Sequence, residues 1–404
     1  MQTTTANRSL AAVSLTLAFA SASANTITVN TIQDTNNSGF CSLRDAIDNA
    51  NNNSQTHGDC TSGGGADTIV FDTTVFATAQ TILLDSTLPN LSDSSTTTID
   101  GAGKVTLDGQ NQFEIMSVGL FVPNVSAELR NITLSHGNAP GGSTSQYYGG
   151  AIYDAGTLVA RNVTFANNNA TFGGGALFTV PSDVTLIDCT FIGNTDANGS
   201  GGAIYNQGTL TIRNSTFSGN TTGNFGGGLF QGSGQTTILN STFSDNTAYN
   251  GSAIRINGGG VSVSNSTIAG NTLSNFGGSL SNSNSSGPFT VTNSIVANNS
   301  NGNCNGTIID GSGNLRWPST DSSCPGAVGD PKLGALGDNG GLTKTLLPGT
   351  GSAAIDAIAC TNAPPTDQRG MIRPDPGSVS ATPCDIGAVE ANSIYDEIFR
   401  NGFD

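Results

Sequence analysis

The stretch GGAIYNQGTLTIRNSTFSGNT, residues 201–221, recurs as GGGLFQGSGQTTILNSTFSDNT over residues 226–247. The two copies keep their glycines and asparagines, whereas most other positions change. Within the first copy, residues 209–213 alternate between apolar and polar side chains, which is the period of a strand with one buried face. Glycine pairs and asparagines flank this segment, and both residue types tolerate the left-handed backbone of tight turns. The stretch therefore predicts one unit of short strands joined by bends.

The same unit repeats along the middle of the chain at intervals of about 26 residues. One unit cannot bury its apolar face alone, but stacked units can, with strands pairing between successive turns about 4.8 Å apart. Stacking aligns equivalent side chains, so asparagine amides can hydrogen-bond from turn to turn. We predict a structural asparagine ladder at the aligned positions Asn131, Asn162, Asp188, Asn214, Asn240, Asn265 and Asn293. An internal column is expected at Phe165, Phe191, Phe217, Phe243, Ile268 and Ile295.

These repeats resemble the right-handed parallel β-helix, and specifically the GGAI/FxxN repeats of polymorphic outer-membrane-protein type. A period of about 26 residues suits three strands and three bends per coil, and we expect about ten coils. Because a solenoid must cover its core at both ends, an N-terminal capping helix and a small C-terminal domain complete the predicted all-β fold. The predicted organisation is a signal peptide over 1–24, a cap over 25–66, the β-helix over 67–315, a C-terminal region over 316–391 and a tail over 392–404.

The predicted cap contains CSLRDAIDNAN, residues 41–51. Ser42 and Asp45 suit a helix capping box. The apolar face of a short amphipathic helix is predicted at Leu43, Ala46, Ile47 and Ala50. The segment also looks like the CSLREA motif that opens a class of secreted bacterial β-helix proteins.

The C-terminal region carries a second resemblance, to the choice-of-anchor Q domain that follows such helices. The matching pieces are DPKLG at 330–334, GDNGGLT at 337–343, AID at 354–356, DQRG at 367–370 and CDIGAVE at 384–390. The resemblance implies display at a bacterial surface. The tail IFRNGFD, residues 398–404, is similar to a short IFxxGF(E/D) ending of secreted proteins from Gram-negative bacteria. It is interpreted either as a sorting signal or as a final strand.

Residues 1–24 have the pattern of an export signal, with a positive start, an apolar run and a small-residue cleavage site, so the mature chain is expected to begin at Asn25. No later stretch is apolar for long enough to form a transmembrane helix. We therefore expect an extracellular protein or one on the outer-membrane surface of a Gram-negative bacterium. An exported chain with seven cysteines favours disulfides. Proximity pairs Cys41 with Cys60, Cys304 with Cys324 and Cys360 with Cys384, and leaves Cys189 as a small buried residue.

The chain has a net charge of -16 and no basic patch, which argues against a nucleic-acid partner. No catalytic or metal-binding set is predicted. The Gly-His-Gly and Arg-x-Lys motifs of a polygalacturonase-like site are missing, and His57 and His136 are interpreted as surface or loop residues without a paired acid. Asp100 and Asp108 each precede a glycine and are candidate Ca²⁺ ligands on adjacent coils, but turn aspartates are the preferred interpretation because no matching basic residue accompanies them. No cofactor is expected.

One set of residues goes beyond what the solenoid needs. In successive repeats, the residue after the inward Ile or Leu of the GGAI segment is expected to face outward and form an exposed column of Tyr153, Phe178, Tyr205, Phe230 and Arg255. Such a column can bind sugar faces or a protein partner, or it can simply stabilise the sheet. The preferred expectation is a non-enzymatic adhesion, matrix or glycan-binding protein that uses a repetitive face. The alternative is a polysaccharide lyase or glycoside hydrolase with an unrecognised site.

Overall fold

The computed structural model describes residues 24–141, 148–275, 277–283, 287–360, 363–374 and 383–391. The expected signal peptide, apart from Ala24, and the tail 392–404 lie outside these ranges. The strands form a parallel β-solenoid of about nine turns with about 26 residues per turn. The predicted all-β fold class is therefore confirmed.

One turn of the solenoid has four short strands where the period suggested three. A representative turn contains Ile204–Asn206, Thr209–Arg213, Thr216–Ser218 and Thr221–Thr222. The second and third strands belong to one sheet, bent at Asn214, whose φ of 52° is left-handed. A single asparagine therefore turns the chain within a sheet, because its short side chain tolerates that backbone conformation.

The long sheet collects the second and third strands of each turn and has 19 strands in the described chain. They are Thr26–Val29, Thr68–Phe71, Gln80–Leu83, Thr96–Asp108, Ser126–Ser135, Thr157–Ala166, Asp183–Ile187, Thr190–Ile192, Thr209–Arg213, Thr216–Ser218, Gln235–Leu239, Thr242–Ser244, Gly260–Ser264, Thr267–Ala269, Phe289–Thr292, Ile295–Ala297, Ile309–Asp310, Leu315–Trp317 and Ala327–Val328.

Two further parallel sheets complete the wall. The corner sheet has the strands Met116–Val118, Ile152–Asp154, Leu177–Thr179, Ile204–Asn206, Leu229–Gln231, Ile254–Ile256, Leu280–Asn282 and Cys304–Asn305. The short sheet has the strands Asn138–Ala139, Asn169–Ala170, Thr195–Asp196, Thr221–Thr222, Thr247–Ala248 and Thr272–Leu273. A separate antiparallel pair joins Ile358–Ala359 to Pro383–Cys384.

The interior contains the predicted phenylalanine column. Phe165, Phe191, Phe217 and Phe243 are fully buried, with successive ring centroids 4.4, 4.7 and 4.5 Å apart and rings nearly parallel. The column continues through Ile268 to Val296. The expected next member, Ile295, instead pairs with Thr267 in the neighbouring outward column. The expectation for Ile295 was wrong because Ile295 lies two residues after its bend residue, Asn293, whereas the other members of the column lie three residues after theirs, and a difference of one residue reverses the face of a side chain.

The asparagine ladder forms at a different set of positions from the one predicted. Asn131, Asn162, Asp188, Asn214, Asn240, Asn265 and Asn293 form a column of left-handed bends, with φ between 46° and 56°. Side-chain bonds within this column join Asn162 to Asn131 at 2.9 Å and Asn240 to Asn214 at 3.4 Å. The uninterrupted ladder lies about six residues later, inside the wall, where each Nδ2 donates to the next Oδ1 at 2.8–3.0 Å. Its members are Asn168, Asn194, Asn220, Asn246, Asn271, Asn299 and Asn303.

The N-terminal end carries the expected helix, Leu43–Asn52, with Ser42 as its N-cap. All three predicted disulfides are formed, which confirms the pairing by proximity, and the free Cys189 is buried. The Cys189 backbone N–H donates to Ser215 Oγ at 3.1 Å. The same link repeats from Ser215 to Ser241 at 3.2 Å, so Cys189 begins a structural serine column.

The C-terminal region packs on the outward threonine column of the long sheet. Gln368, in the DQRG motif, donates from Nε2 to Thr216 Oγ1 at 2.9 Å and accepts from Thr242 Oγ1 at 2.6 Å. The Ala388 N–H donates to Thr267 Oγ1 at 3.0 Å. These three threonines are buried, whereas Thr190 in the preceding coil is only partly buried. The region therefore covers one end of this column, and it contacts the corner sheet at Cys304, through the Cys304–Cys324 disulfide and the Ser323 hydroxyl.

Candidate functional site

The corner sheet aligns the five outward residues predicted from the repeats. Tyr153 pairs with Phe178, Phe178 with Tyr205, Tyr205 with Phe230 and Phe230 with Arg255 in parallel register. Successive ring centroids are 5.4, 5.1 and 4.8 Å apart. The one-strand spacing of the sheet thus produces a continuous stack of rings that ends at a guanidinium group.

The expectation that this column is exposed was wrong. Phe178 and Phe230 are each only 5% exposed, and Tyr153, Tyr205 and Arg255 are partly buried. A second row of residues, five positions earlier in each repeat, packs over the column. It places the Tyr148 ring 4.5 Å from the Phe178 ring and the Phe225 ring 6.4 Å from the Phe230 ring.

A glycine in this second row lets the rings lie against the backbone. A Cβ atom on Gly173 would lie 3.0 Å from the Tyr148 ring and 3.2 Å from the rings of Phe178 and Tyr205. Such distances are too close for ordinary packing, so the missing side chain creates the room that the three rings fill.

The exposed part of the aromatic surface lies at the adjoining bend, where the sequence analysis did not place it. Phe172 is 46% exposed and Tyr249 is 43% exposed. Tyr249 lies edge-on to Phe225, with ring centroids 6.3 Å apart. A usable signal was the aromatic residue that comes just before the glycine or asparagine of this bend in two repeats, Phe172–Gly173 and Tyr249–Asn250. The corner aromatic cluster is defined as Tyr148, Tyr153, Phe172, Phe178, Tyr205, Phe225, Phe230 and Tyr249.

Arg255 ends the stack as a cation held by neutral groups. Its Cζ lies 4.8 Å from the Phe225 ring centroid, and its Nη1 donates to Ser281 Oγ at 2.8 Å. Within the described part of the chain, its buried Nε atom has no hydrogen-bond partner. Burial lowers the pKa of the Arg255 guanidinium from its ordinary value. The arrangement combines a cation–π contact with one neutral hydrogen bond.

Comparison with protein-family models places residues 90–243 in a right handed beta helix region. The solenoid is a right-handed parallel β-helix. Comparisons with curated proteins and with solved structures give no match. The matched range includes the whole ring stack of the corner sheet from Tyr153 to Phe230, so the aromatic cluster is built on the regular coils of the β-helix.

Glu114 lies beside the first ring of the stack. It occupies the position that Gly150 fills in the next coil of the β-helix, two residues before the Met116–Ile152 pair. Its Oε1 accepts from the Tyr153 backbone N–H at 3.2 Å. Burial raises the Glu114 pKa to about 8, so the carboxyl group is largely protonated at neutral pH. A glutamate in a glycine column is the sequence signal for this residue, which the repeat pattern alone did not single out.

Two other carboxyl groups are buried in the wall of the β-helix. Asp154 accepts from Ser182 Oγ at 2.7 Å, and Asp196 accepts from the Gly199 N–H. Burial raises the pKa of each to about 7. Asp154 is fully buried and Asp196 is 1% exposed, so neither carboxyl group can touch a ligand directly.

The remaining titratable residues considered from the sequence have structural contacts. Asp100 and Asp108 lie on one strand rather than on adjacent coils, and each accepts a bond from a turn N–H. His136 contacts Asp108 at 3.0 Å. His57 is mostly buried and contacts Asp45 and Asp48 at 3.2 and 3.1 Å, so both histidines have a paired acid after all. The described residues contain no group of three or more His, Cys, Asp or Glu side chains placed to hold a metal ion.

Two clefts of the β-helix are lined by residues outside the aromatic cluster. One, of about 430 Å³, is lined by turn residues including Ser182, Asp183 and Gln207. Another, of about 540 Å³, is lined by residues including Arg130 and Arg161, both paired with Glu128. The two arginines share this one carboxylate partner. None of the helices within the described ranges combines the length and apolar character needed to cross a bilayer.

Proposed function

We propose that this chain is an exported β-helix protein that binds glycans through the corner aromatic cluster, as an adhesion or matrix protein of a bacterial surface. The observation that carries the proposal is the unbroken ring stack of the corner sheet, with the exposed rings of Phe172 and Tyr249 beside it. The stacked rings of the corner sheet can be explained by the stability they give to the wall. The exposed aromatic rings at the bend are not needed for that stability, so they favour a binding surface.

The chemistry of the surface suits sugars. An aromatic side chain presents a flat apolar face, on which the C–H face of a sugar ring can stack. The buried rings of Phe178 and Phe230 hold their neighbours in fixed orientations, so little conformational entropy is lost when a ligand binds. Several equivalent contacts along a rigid wall add through avidity, which suits a polymeric ligand.

A second candidate function is polysaccharide cleavage, and Glu114 is the observation that favours it. A carboxyl group with a pKa of about 8 keeps its proton at neutral pH and can act as a general acid. Glycoside hydrolysis commonly uses two carboxyl groups across the scissile bond. Asp154, the other carboxyl with a raised pKa on the corner sheet, is fully buried. Binding without cleavage is therefore the preferred proposal.

The test is a glycan-array screen of the purified exported protein, followed by binding measurements on variants. Phe172→Ser combined with Tyr249→Ser removes both exposed rings of the cluster. Phe121→Ser is the matched control, because Phe121 is 86% exposed and lies outside the cluster. We expect the double variant to lose at least tenfold in affinity and the control to bind like the wild type, with both retaining the wild-type melting temperature.

Two results contradict this proposal. If the folded double variant binds glycans as well as the wild type, the cluster is not the binding surface. If the protein releases reducing ends or unsaturated products from a bound polysaccharide, and Glu114→Gln abolishes that release, the enzymatic candidate replaces it.

A further inference from the structure

We infer that Arg255 makes the corner aromatic cluster a binding site for acidic sugars that carry a carboxylate, such as uronic acid residues. The inference rests on the proposed glycan binding and names its substrate class. It follows from the position of Arg255 in the stack, from the partners of its guanidinium group and from the charge balance of the chain.

The position of Arg255 places a cation one strand beyond the last stacked ring. Arg255 pairs with Phe230 on one side and with Ser281 on the other. Its guanidinium also lies over Phe225. A sugar ring can stack on this end of the cluster. A substituent that lies about one strand spacing, near 4.8 Å, from that sugar ring would then reach the guanidinium group.

The guanidinium group has no carboxylate partner in the described chain. Five other arginines have one, in the pairs Arg44–Asp34, Arg130–Glu128, Arg161–Glu128, Arg369–Asp367 and Arg373–Glu390. Within the described residues, the guanidinium group of Arg255 contacts a serine hydroxyl and an aromatic ring. A partly buried cation is costly unless it is paired, and an external anion would supply the missing charge.

The charge balance makes this lack of a partner informative. The chain has 29 acidic and 13 basic residues, so a carboxylate neighbour is readily available to any arginine that needs one for stability. At the equivalent position the preceding coils have an aromatic residue and the following coil has Ser281. A polar or aromatic residue would therefore suit the wall, and the arginine adds a charge that no carboxylate in the described residues balances.

The chemistry of the group selects the ligand. A guanidinium presents several N–H donors in one plane, which matches the two oxygens of a carboxylate. Neighbouring aromatic rings exclude water, and this strengthens the charge–charge attraction. An acidic sugar stacked on the cluster would contact the aromatic rings and also pair its carboxylate with the guanidinium group. A neutral sugar would contact the rings but leave the cation without an anion.

The experiment measures calorimetric binding of oligogalacturonate and of its fully methyl-esterified, neutral counterpart to the purified exported protein. We expect the wild type to bind the acid at least tenfold more tightly than the ester. Arg255→Gln should remove this preference and leave binding of the ester unchanged. Arg255→Lys keeps the charge without the planar donor group and should retain part of the preference, which separates loss of the charge from loss of folding. Arg213→Gln is the matched control, an exposed arginine on the long sheet.

Each contrary outcome has a distinct meaning. Equal binding of acid and ester by the wild type overturns the acidic-sugar inference and leaves glycan binding intact. Unchanged acid preference in folded Arg255→Gln also overturns it. Tighter binding of dextran sulfate than of oligogalacturonate would show a site for sulfated rather than carboxylated sugars. Absence of binding to any glycan overturns the proposed function itself, and the inference with it.

Discussion

Replacing Asn220 with alanine removes the middle of the buried asparagine ladder. The Asn220 Nδ2 group donates to the Phe191 carbonyl at 3.0 Å and to Asn246 Oδ1 at 2.8 Å. Its Oδ1 accepts from the backbone N–H and from the side-chain amide of Asn194, at 3.0 and 2.9 Å. The side chain is fully buried, so water cannot replace these partners without opening the wall.

The expected cost follows from these four hydrogen bonds. Each contributes roughly 1 kcal/mol, and a partner left buried without a bond costs more than the net value of the bond. We therefore expect Asn220→Ala to lower the free energy of unfolding by about 4 kcal/mol, which is a large share of the 5–15 kcal/mol typical of a folded protein. Because each coil contacts only its neighbours, the loss falls on the coupling between adjacent coils.

Urea denaturation followed by circular dichroism measures this effect. The matched control is Asn224→Ala in the same turn, because Asn224 is exposed and its side chain donates a single bond, to the Asn198 carbonyl at 2.7 Å. We expect the control to lose about 1 kcal/mol or less. The transition of Asn220→Ala should also split, as the coils on either side of the break unfold separately. Equal losses in the two variants would refute the ladder as a main source of stability.

Three further predictions concern other parts of the wall. Burial raises the pKa of Glu114 to about 8 and that of Asp154 and Asp196 to about 7, so the folded state holds protons that the unfolded state has lost. Stability should therefore fall as pH rises from about 4 to 8, with a loss of up to about 4 kcal/mol from Asp196 between about pH 4 and 7 in urea titrations, and Asp196→Asn should flatten this dependence. Gln368→Ala should speed hydrogen exchange in the C-terminal region, without changing exchange in the central coils. Gly173→Val should displace three rings, which near-ultraviolet circular dichroism would detect, and cost about 1–3 kcal/mol.

The repeat period predicted the features that every coil shares. Phe165 and its equivalents lie inside because their spacing keeps them on one face, and the three disulfides join cysteines that are near in sequence. The asparagine ladder was assigned to the wrong column because both columns repeat with the same spacing. A left-handed bend at Asn214 and a buried amide at Asn220 are distinguished by local backbone conformation, which spacing alone does not determine.

The site was less predictable because its burial depends on residues from other coils. The alternation of the corner strand correctly directs Phe178 outward, but Tyr148 from the preceding bend covers it. The same holds at Ile295, which faces away from the phenylalanine column and is still fully buried because Ala354 and Ile386 of the C-terminal region pack there. Alternation predicts the direction of a side chain, whereas its exposure depends on long-range packing.

The position of the C-terminal region also limits where a ligand can bind. Its contacts with Thr216, Thr242 and Thr267 cover the third strands of successive coils. A ligand that followed the coils along that face would meet this region. Among the described residues, the aromatic column of the corner sheet is covered by the rings of its own bend, and the C-terminal region meets this sheet at Cys304, beyond Arg255. A long polymer can therefore follow the corner past several coils, and for this reason Arg255 and the exposed rings of Phe172 and Tyr249 are the first residues to test.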